Sequence, residues 1–208
     1  NTLVIGFIST AVSTILGTTA ALALHKYRYK WQGLLNGLIY LPILIPEIVM
    51  GLSLLVLFSQ IHLSLGRTSS ILANITFCLS FVVITVGARL DGLKQEYEEA
   101  AGDLYARPWQ CFRYITLPLI MPGITAGALI AFTLSIDDFI ISFFAAGPNS
   151  TTLPLYIYAM VKRGISPEIN ALSTLMIAAE IALVLLADFF QIRQAGTSRK
   201  KELPDDRQ

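Results

Sequence analysis

Residues 1–24 and 68–88 carry no charged side chain, and each run is as long as the roughly 20-residue helix that a bilayer core requires. In hydrocarbon, no water serves the backbone N–H and C=O groups, so runs like these close their hydrogen bonds internally as helices. Composition agrees: 54% of the residues are apolar and 14% charged, against the ~25% charged share of a soluble domain. The chain is therefore read as all-α, a polytopic transmembrane helical bundle.

Three further spans are expected. One runs from about Leu34 to Phe58, interrupted by Pro42, Pro46 and Glu47; another runs from Leu119 to about Ala145. After a polar turn at residues 147–150, the last begins near Ser166-Pro167, with Ser as N-cap and Pro at the first helical position. Residues 1–192 form the transmembrane domain, with a polar loop at 91–118, and residues 193–208 are expected to be a disordered polar tail. Cys78 and Cys111 have neither metal-ligand spacing nor a pairing logic and are read as free thiols.

Orientation follows from the basic residues. Lys26, Arg28, Lys30, Arg89, Lys94, Arg107, Arg113, Arg193, Arg199, Lys200, Lys201 and Arg207 fall on one side, against Arg67, Lys162 and Arg163 on the other. The 12-to-3 excess marks the first side as cytoplasmic. Five spans starting outside and ending inside lead us to expect a further helix ahead of Asn1, consistent with the absence of a leading Met or a basic signal-peptide region.

Within the loop, Leu93, Tyr97, Ala100, Ala101 and Leu104 recur at helical spacing and set one apolar stripe on a short helix. Pro108 can open a second short helix through Trp109, Phe112 and Ile115. An interfacial helix on the inner leaflet would show the same pattern. Such a helix should be rich in Lys and Arg, whereas residues 95–104 hold Glu96, Glu98, Glu99 and Asp103 and no cation, which favours a basic protein groove over anionic lipid.

The stretch EAAGDLYARPWQCFRYITLP (residues 99–118) resembles the EAA loop of ABC importer permeases. In that family the pattern is Glu-Ala-Ala, three residues, Gly, nine residues, Ile, one residue, Leu-Pro. Glu99, Ala100, Ala101, Ile115, Leu117 and Pro118 match, and Tyr105 stands where Gly is usual. The resemblance implies that the loop docks into a cleft of a separate ATPase, with Glu99 reaching its basic groups and Ala100 and Ala101 allowing close approach. Gly can end the first helix in a left-handed conformation that Tyr adopts less readily, which leaves the angle between the short helices open. No phosphate-cradling loop and no His, Cys or Ser constellation suited to catalysis occurs in the chain. ATP and its Mg are accordingly assigned to the partner ATPase, and this chain is expected to hold no cofactor.

Four carboxylates, Glu47, Asp137, Asp138 and Glu180, lie in apolar spans that contain no Lys or Arg. An ionised acid there costs ~2.5–3.5 kcal/mol even on insertion scales, so something cationic, aqueous or protonic must compensate it. Helix rise puts Glu47 about 20 Å and Asp137 about 27 Å from the inner boundary, both in the outer half. A helix broken at proline and carrying an acid points to a transport site, although Glu47 would equally serve the first turn of the restarted helix. Asp137 and Asp138 point about 100° apart on a continuous helix, so one is expected to face a central pathway while the other packs. Glu180, among Ala178, Ala179 and Ala182, reads as a packing residue.

The runs IPEIVMGLSLLVLF (45–58), ITFCLSFVV (75–83), FTLSIDDFIISFF (132–144) and LPLYIYAMVKRGISPEINALST (153–174) are similar to the second permease subunit of spermidine/putrescine ABC importers. That resemblance implies a polycation substrate received by Glu47, Ser135, Asp137 and Asp138, with Glu47 standing where Asp is usual. It also implies the partners: a second permease subunit, two copies of a cytoplasmic ATPase and an extracytoplasmic polyamine-binding protein, in the cytoplasmic membrane of a prokaryote, with lipid around the spans and no nucleic acid. The alternatives are a permease for another cationic solute or ferric ion, an ion-coupled secondary carrier, which has no use for an EAA loop, and a membrane scaffold.

Overall fold

The computed structural model describes residues 1–27, 30–93, 96–164 and 167–200, without the side chains of Glu98 and of residues 186–200. Three long helices form the core: α1 (Thr2–Lys26), α4 (Arg67–Asp91) and α7 (Leu117–Asp137), with α2 (Gln32–Leu44), α3 (Glu47–Gln60), α5 (Glu96–Asp103) and α6 (Pro108–Cys111) between them. A π-helical turn (Phe112–Thr116) joins α6 to α7, and α8 (Ile140–Ala145), α9 (Leu153–Val161) and α10 (Pro167–Lys200) follow.

Small residues bring the core helices together, as expected where burying apolar surface away from lipid supplies no driving force. Gly6, Ser9, Ser13, Gly17 and Ala21 make one buried face of α1, and Gly123, Gly127, Ala131 and Ser135 recur every fourth residue along α7. A side chain at Gly17 would bring its Cβ to 2.7 Å from Val82 Cγ1 of α4, and one at Gly123 to 2.8 Å from Arg89 Cβ. Between these faces α4 buries Phe77, Cys78, Val82, Val83 and Val86. Both cysteines are free, Cys78 buried and Cys111 half-buried.

Among the described residues, four helices are long and apolar enough to cross a membrane: Thr2–Lys26, Arg67–Asp91, Pro108–Asp137 and Pro167–Leu185. The expected second span is a pair, α2 and α3, bent by 110°. Side-chain contacts show how it connects the bundle. At one end Asn1 accepts a 2.9 Å bond from Arg67 Nη2 and donates 3.0 Å to the Asn149 carbonyl. At the other, His25 Nδ1 lies 3.4 Å from Asp91 Oδ1, and Arg89 Nε donates 3.0 Å to the Leu119 carbonyl. Helices α1 and α4 therefore run parallel, α7 runs against them, and the bent pair carries the chain back across as a fifth crossing.

Several boundaries differ from the sequence expectation. The break in the second span falls at Ile45-Pro46, while Pro42 remains inside α2. The helix that enters the expected Leu119–Ala145 span starts at Pro108 and ends at Asp137, with α8 as a separate piece. The helix α10 runs through Arg193 to Lys200, where a disordered tail was expected; residues 201–208 lie outside the described residues, as do Ser166, Arg28 and Lys94.

Candidate functional site

The acids gather where two helices are broken, in the half of the bundle nearer the start of α4. Pro46 supplies no N–H and holds an extended φ of −56° and ψ of 133°, so α3 restarts at Glu47, whose carboxylate occupies the positive first turn. Helix α3 packs on α8, close enough that a Cβ on Gly51 would sit 2.7 Å from the Phe144 ring. This packing brings Glu47 within electrostatic reach of Asp137 and Asp138, and Asp137 is in turn an electrostatic neighbour of Glu180 on α10.

The two adjacent aspartates are separated by a chain break, not by rotation along one helix as the sequence suggested. Asp137 is the last residue of α7 and is exposed; Asp138 leaves the helix with φ −61° and ψ 112° and is buried. The Asp138 carboxylate caps α8: its Oδ1 accepts from the Ile141 N–H at 2.9 Å, and its Oδ2 accepts from the Ser142 N–H at 2.8 Å and the Ser142 hydroxyl at 2.7 Å. A fourth donor, Asn74 Nδ2 of α4, reaches Oδ2 at 3.3 Å. Asn74 Oδ1 accepts from the Ser135 hydroxyl at 2.9 Å, and its Nδ2 also donates to the Ser70 carbonyl at 3.1 Å.

Of the four residues singled out as substrate-receiving, the structure thus leaves Glu47 and Asp137 open and draws Ser135 and Asp138 into a buried network. No described residue hydrogen-bonds or ion-pairs with the Glu47 or Asp137 carboxylate. Glu180 is half-buried, and its Oε1 has no hydrogen-bond partner among the described residues. Asn74 and Ser142 were missed by sequence reasoning. An Asp followed by an apolar run is an N-cap signal, and an Asn inside an uncharged span is itself costly enough to ask for a partner.

At the opposite end the loop offers a second surface. On α5, Glu99 and Ala100 are exposed while Ala101 is buried. The expected apolar stripe is only partly covered: Leu93 packs on the core, whereas Tyr97, Ala100 and Leu104 are exposed, Leu104 to 82%, as is the neighbouring Tyr105 to 95%. Tyr105 takes a left-handed φ of 57°. Its N–H donates to the Gly102 carbonyl at 2.9 Å and the Ala106 N–H to the Ala101 carbonyl at 3.0 Å, the bond pair of a Schellman motif. Tyr at this position therefore ends the helix as Gly would, at a steric cost of roughly 1 kcal/mol. Tyr105→Gly is expected to slow amide hydrogen exchange across Glu96–Asp103 about fivefold, the factor that 1 kcal/mol represents, and Tyr105→Val to accelerate it. Equal exchange in both variants would show that residue 105 stores no strain.

The second short helix expected at Pro108 does not end at Ile115. The chain stays helical from Pro108 to Asp137, 30 residues, through the π turn. The Leu117 N–H reaches back to the Phe112 carbonyl, five residues earlier. The turn is placed where it is needed: Pro118 lacks an N–H, and its ring would clash with the carbonyl four residues back in a regular helix, so widening the preceding turn accommodates it. Leu117 and Pro118 therefore form the joint between loop and span. Beside this joint, a cavity of about 980 Å³ opens between the end of α1, the loop and the start of α7.

Residues 13–195 match the family described as "Binding-protein-dependent transport system inner membrane component". The chain is 42% identical over 185 residues to the spermidine/putrescine transport system permease protein PotC of Escherichia coli (strain K12), covering 89% of this chain and 70% of that protein. It is 38% identical over 208 residues to the putrescine transport system permease protein PotI of the same strain, covering 97% and 74%. Its fold is similar to a chain of the MetNI methionine ABC transporter in an inward-facing conformation, with a TM-score of 0.79 over 93% of this chain and 92% of that one at 17% identity.

Proposed function

Because this chain belongs to the family of binding-protein-dependent transport system inner membrane components, we propose that it is the permease subunit of an ATP-driven importer that carries polyamines, spermidine or putrescine, into the cell. It is a transport subunit and not an enzyme. ATP and Mg are held by two copies of a cytoplasmic ATPase, a second permease subunit completes the pathway, and an extracytoplasmic binding protein delivers the substrate.

The observation that carries this reading is the pair of open carboxylates, Glu47 and Asp137, set at the breaks of two helices in a bundle of apolar spans and within electrostatic reach of each other. An unpaired acid in this setting needs compensation, and a flexible chain bearing two or more ammonium groups offers one cation to each. The same feature speaks against anionic solutes, which would meet repulsion on the route.

The long helix joins the two ends of the function. Glu99 and Ala100 sit on the docking helix, Pro108 starts the 30-residue rod, and Asp137 ends it. A displacement of the loop when ATP closes the ATPases is carried through the π-turn joint along one continuous helix, about 45 Å at the regular rise, to Asp137. ATP binding thereby opens the pathway outward, and hydrolysis resets it.

The test is uptake of labelled spermidine and putrescine into vesicles that contain the complex assembled from this chain, its permease partner and the ATPase, supplied with binding protein. ATP-dependent accumulation is expected. Accumulation driven by a proton or sodium gradient without ATP, or faster uptake of an anion, would overturn the reading.

A further inference from the structure

Asn74 sits about two turns into α4 with no exposed surface, in a span that carries no charge from Thr68 to Ala88. A primary amide at that depth is retained only where its donors and acceptor are met. All of them are met here, and by three different elements: the Ser70 carbonyl on its own helix, the Ser135 hydroxyl on α7, and the Asp138 carboxylate at the break. The break itself has no other anchor to α4 through Asp138, since the remaining three donors come from α8. Because Asp138 is fixed, its neighbour Asp137 is held as the last helical residue, exposed outside the network.

We propose that Asn74 is a positioning residue for substrate recognition: by bridging Ser135 and Asp138 it locks the α7–α8 break in the geometry that leaves the Asp137 carboxylate exposed as the last residue of α7. This rests on the polyamine reading for the identity of the substrate, but the geometry of Asp137 can be read independently. Asn74 touches no substrate and acts only through the break. Removing its amide leaves Asp138 with its α8 donors, so α8 stays capped, and still bonded to α4 at its far end where the Ser69 hydroxyl donates to the Ala145 carbonyl at 2.8 Å, while the tie of Asp138 itself to α4 is lost.

The experiment uses the assembled complex in vesicles and compares Asn74→Leu, the milder Ser135→Ala, Asp137→Asn and the double variant Asn74→Leu/Asp137→Asn. Asn74→Leu is expected to raise the half-saturating spermidine concentration about tenfold, the scale of one charge-assisted hydrogen bond, with maximal uptake changed little. Ser135→Ala is expected to raise it roughly threefold, the scale of a neutral bond. On the Asp137→Asn background, Asn74→Leu should add less than about twofold, because both changes act through one carboxylate. In a Cys111→Ser background, Asp137→Cys should react with a water-soluble thiol reagent at a rate that Asn74→Leu shifts about tenfold.

Full multiplication of the two effects, or a fall in maximal uptake with unchanged half-saturation, would assign Asn74 to general structure and overturn the proposal. Should Asn74→Leu fail to assemble, Ser135→Ala decides: unchanged half-saturation and unchanged labelling of Cys at 137 overturn it. If Asp137→Asn alone takes up spermidine like the parent, the polyamine reading fails, and the labelling rates still decide whether Asn74 positions residue 137.

Discussion

Replacing Glu99 with lysine is expected to abolish ATP-driven uptake while leaving the subunit in the membrane. Glu99 and Ala100 are exposed on the outer side of a helix only eight residues long, whose inner side is pinned through Ala101. The helix is closed by the Schellman bonds at Tyr105 and Ala106, so Glu99 is presented on a fixed surface. Loss of an interfacial charge pair costs 2–5 kcal/mol or more, and reversal adds like-charge repulsion to that loss. A hundredfold or greater loss of ATPase co-purification follows on that scale. Ala100→Asp should act similarly through bulk and desolvation, since it inserts a carboxylate where close approach is needed. Neither residue packs in the core, so protein levels in the membrane should match the parent. Normal uptake and co-purification in both variants would show that α5 is not the coupling element.

Neutralising the open acids should impair transport at the other end of the rod. Glu47→Gln and Asp137→Asn keep size and hydrogen-bonding capacity and remove only the charge. Each is expected to raise the half-saturating spermidine or putrescine concentration about tenfold, since a charge-assisted contact contributes ~1.5–3 kcal/mol. The double variant should lose roughly a hundredfold if the two carboxylates hold separate ammonium groups. Asp138→Asn is expected to behave differently. It sets an amide against a shell made wholly of donors, from Ile141, Ser142 and Asn74, so assembly should suffer along with affinity. Glu180→Gln should be milder, because Glu180 meets the cluster only through Asp137. ATPase co-purification, which depends on the distant loop, should be unchanged in Glu47→Gln and Asp137→Asn. Full polyamine uptake in that double variant would refute the substrate assignment.

Much of this molecule was legible from residue order because a bilayer is an unforgiving solvent. Long uncharged runs had to be helices, the prolines at 42 and 46 had to interrupt one near Glu47, and the polar run after Asp91 had to lie outside the spans. These features are local: each is decided by whether a backbone group within a few residues finds its hydrogen bond. The placement of the aspartates was not legible in this way. Asp137 and Asp138 differ by one position and are chemically identical, yet one is exposed and the other is buried.

What separates them is Asn74, 64 positions away from Asp138 along the chain and within 3.3 Å of it in the fold. Tyr105 makes the same point on the loop. Its residue type argues against a left-handed turn, but the carbonyls of Ala101 and Gly102 wait at the end of α5 for the N–H groups of Ala106 and Tyr105, and those two bonds outweigh roughly 1 kcal/mol of strain. Pro42 and Pro46 likewise look equivalent in the sequence, and only the packing of α3 on α8 selects Pro46 as the corner. The sequence by itself determined which segments are helices apolar enough to cross a membrane, because solvation of the backbone is a short-range demand. Tertiary structure alone decided which of the two aspartates stays exposed, because that depends on which distant side chain satisfies its neighbour.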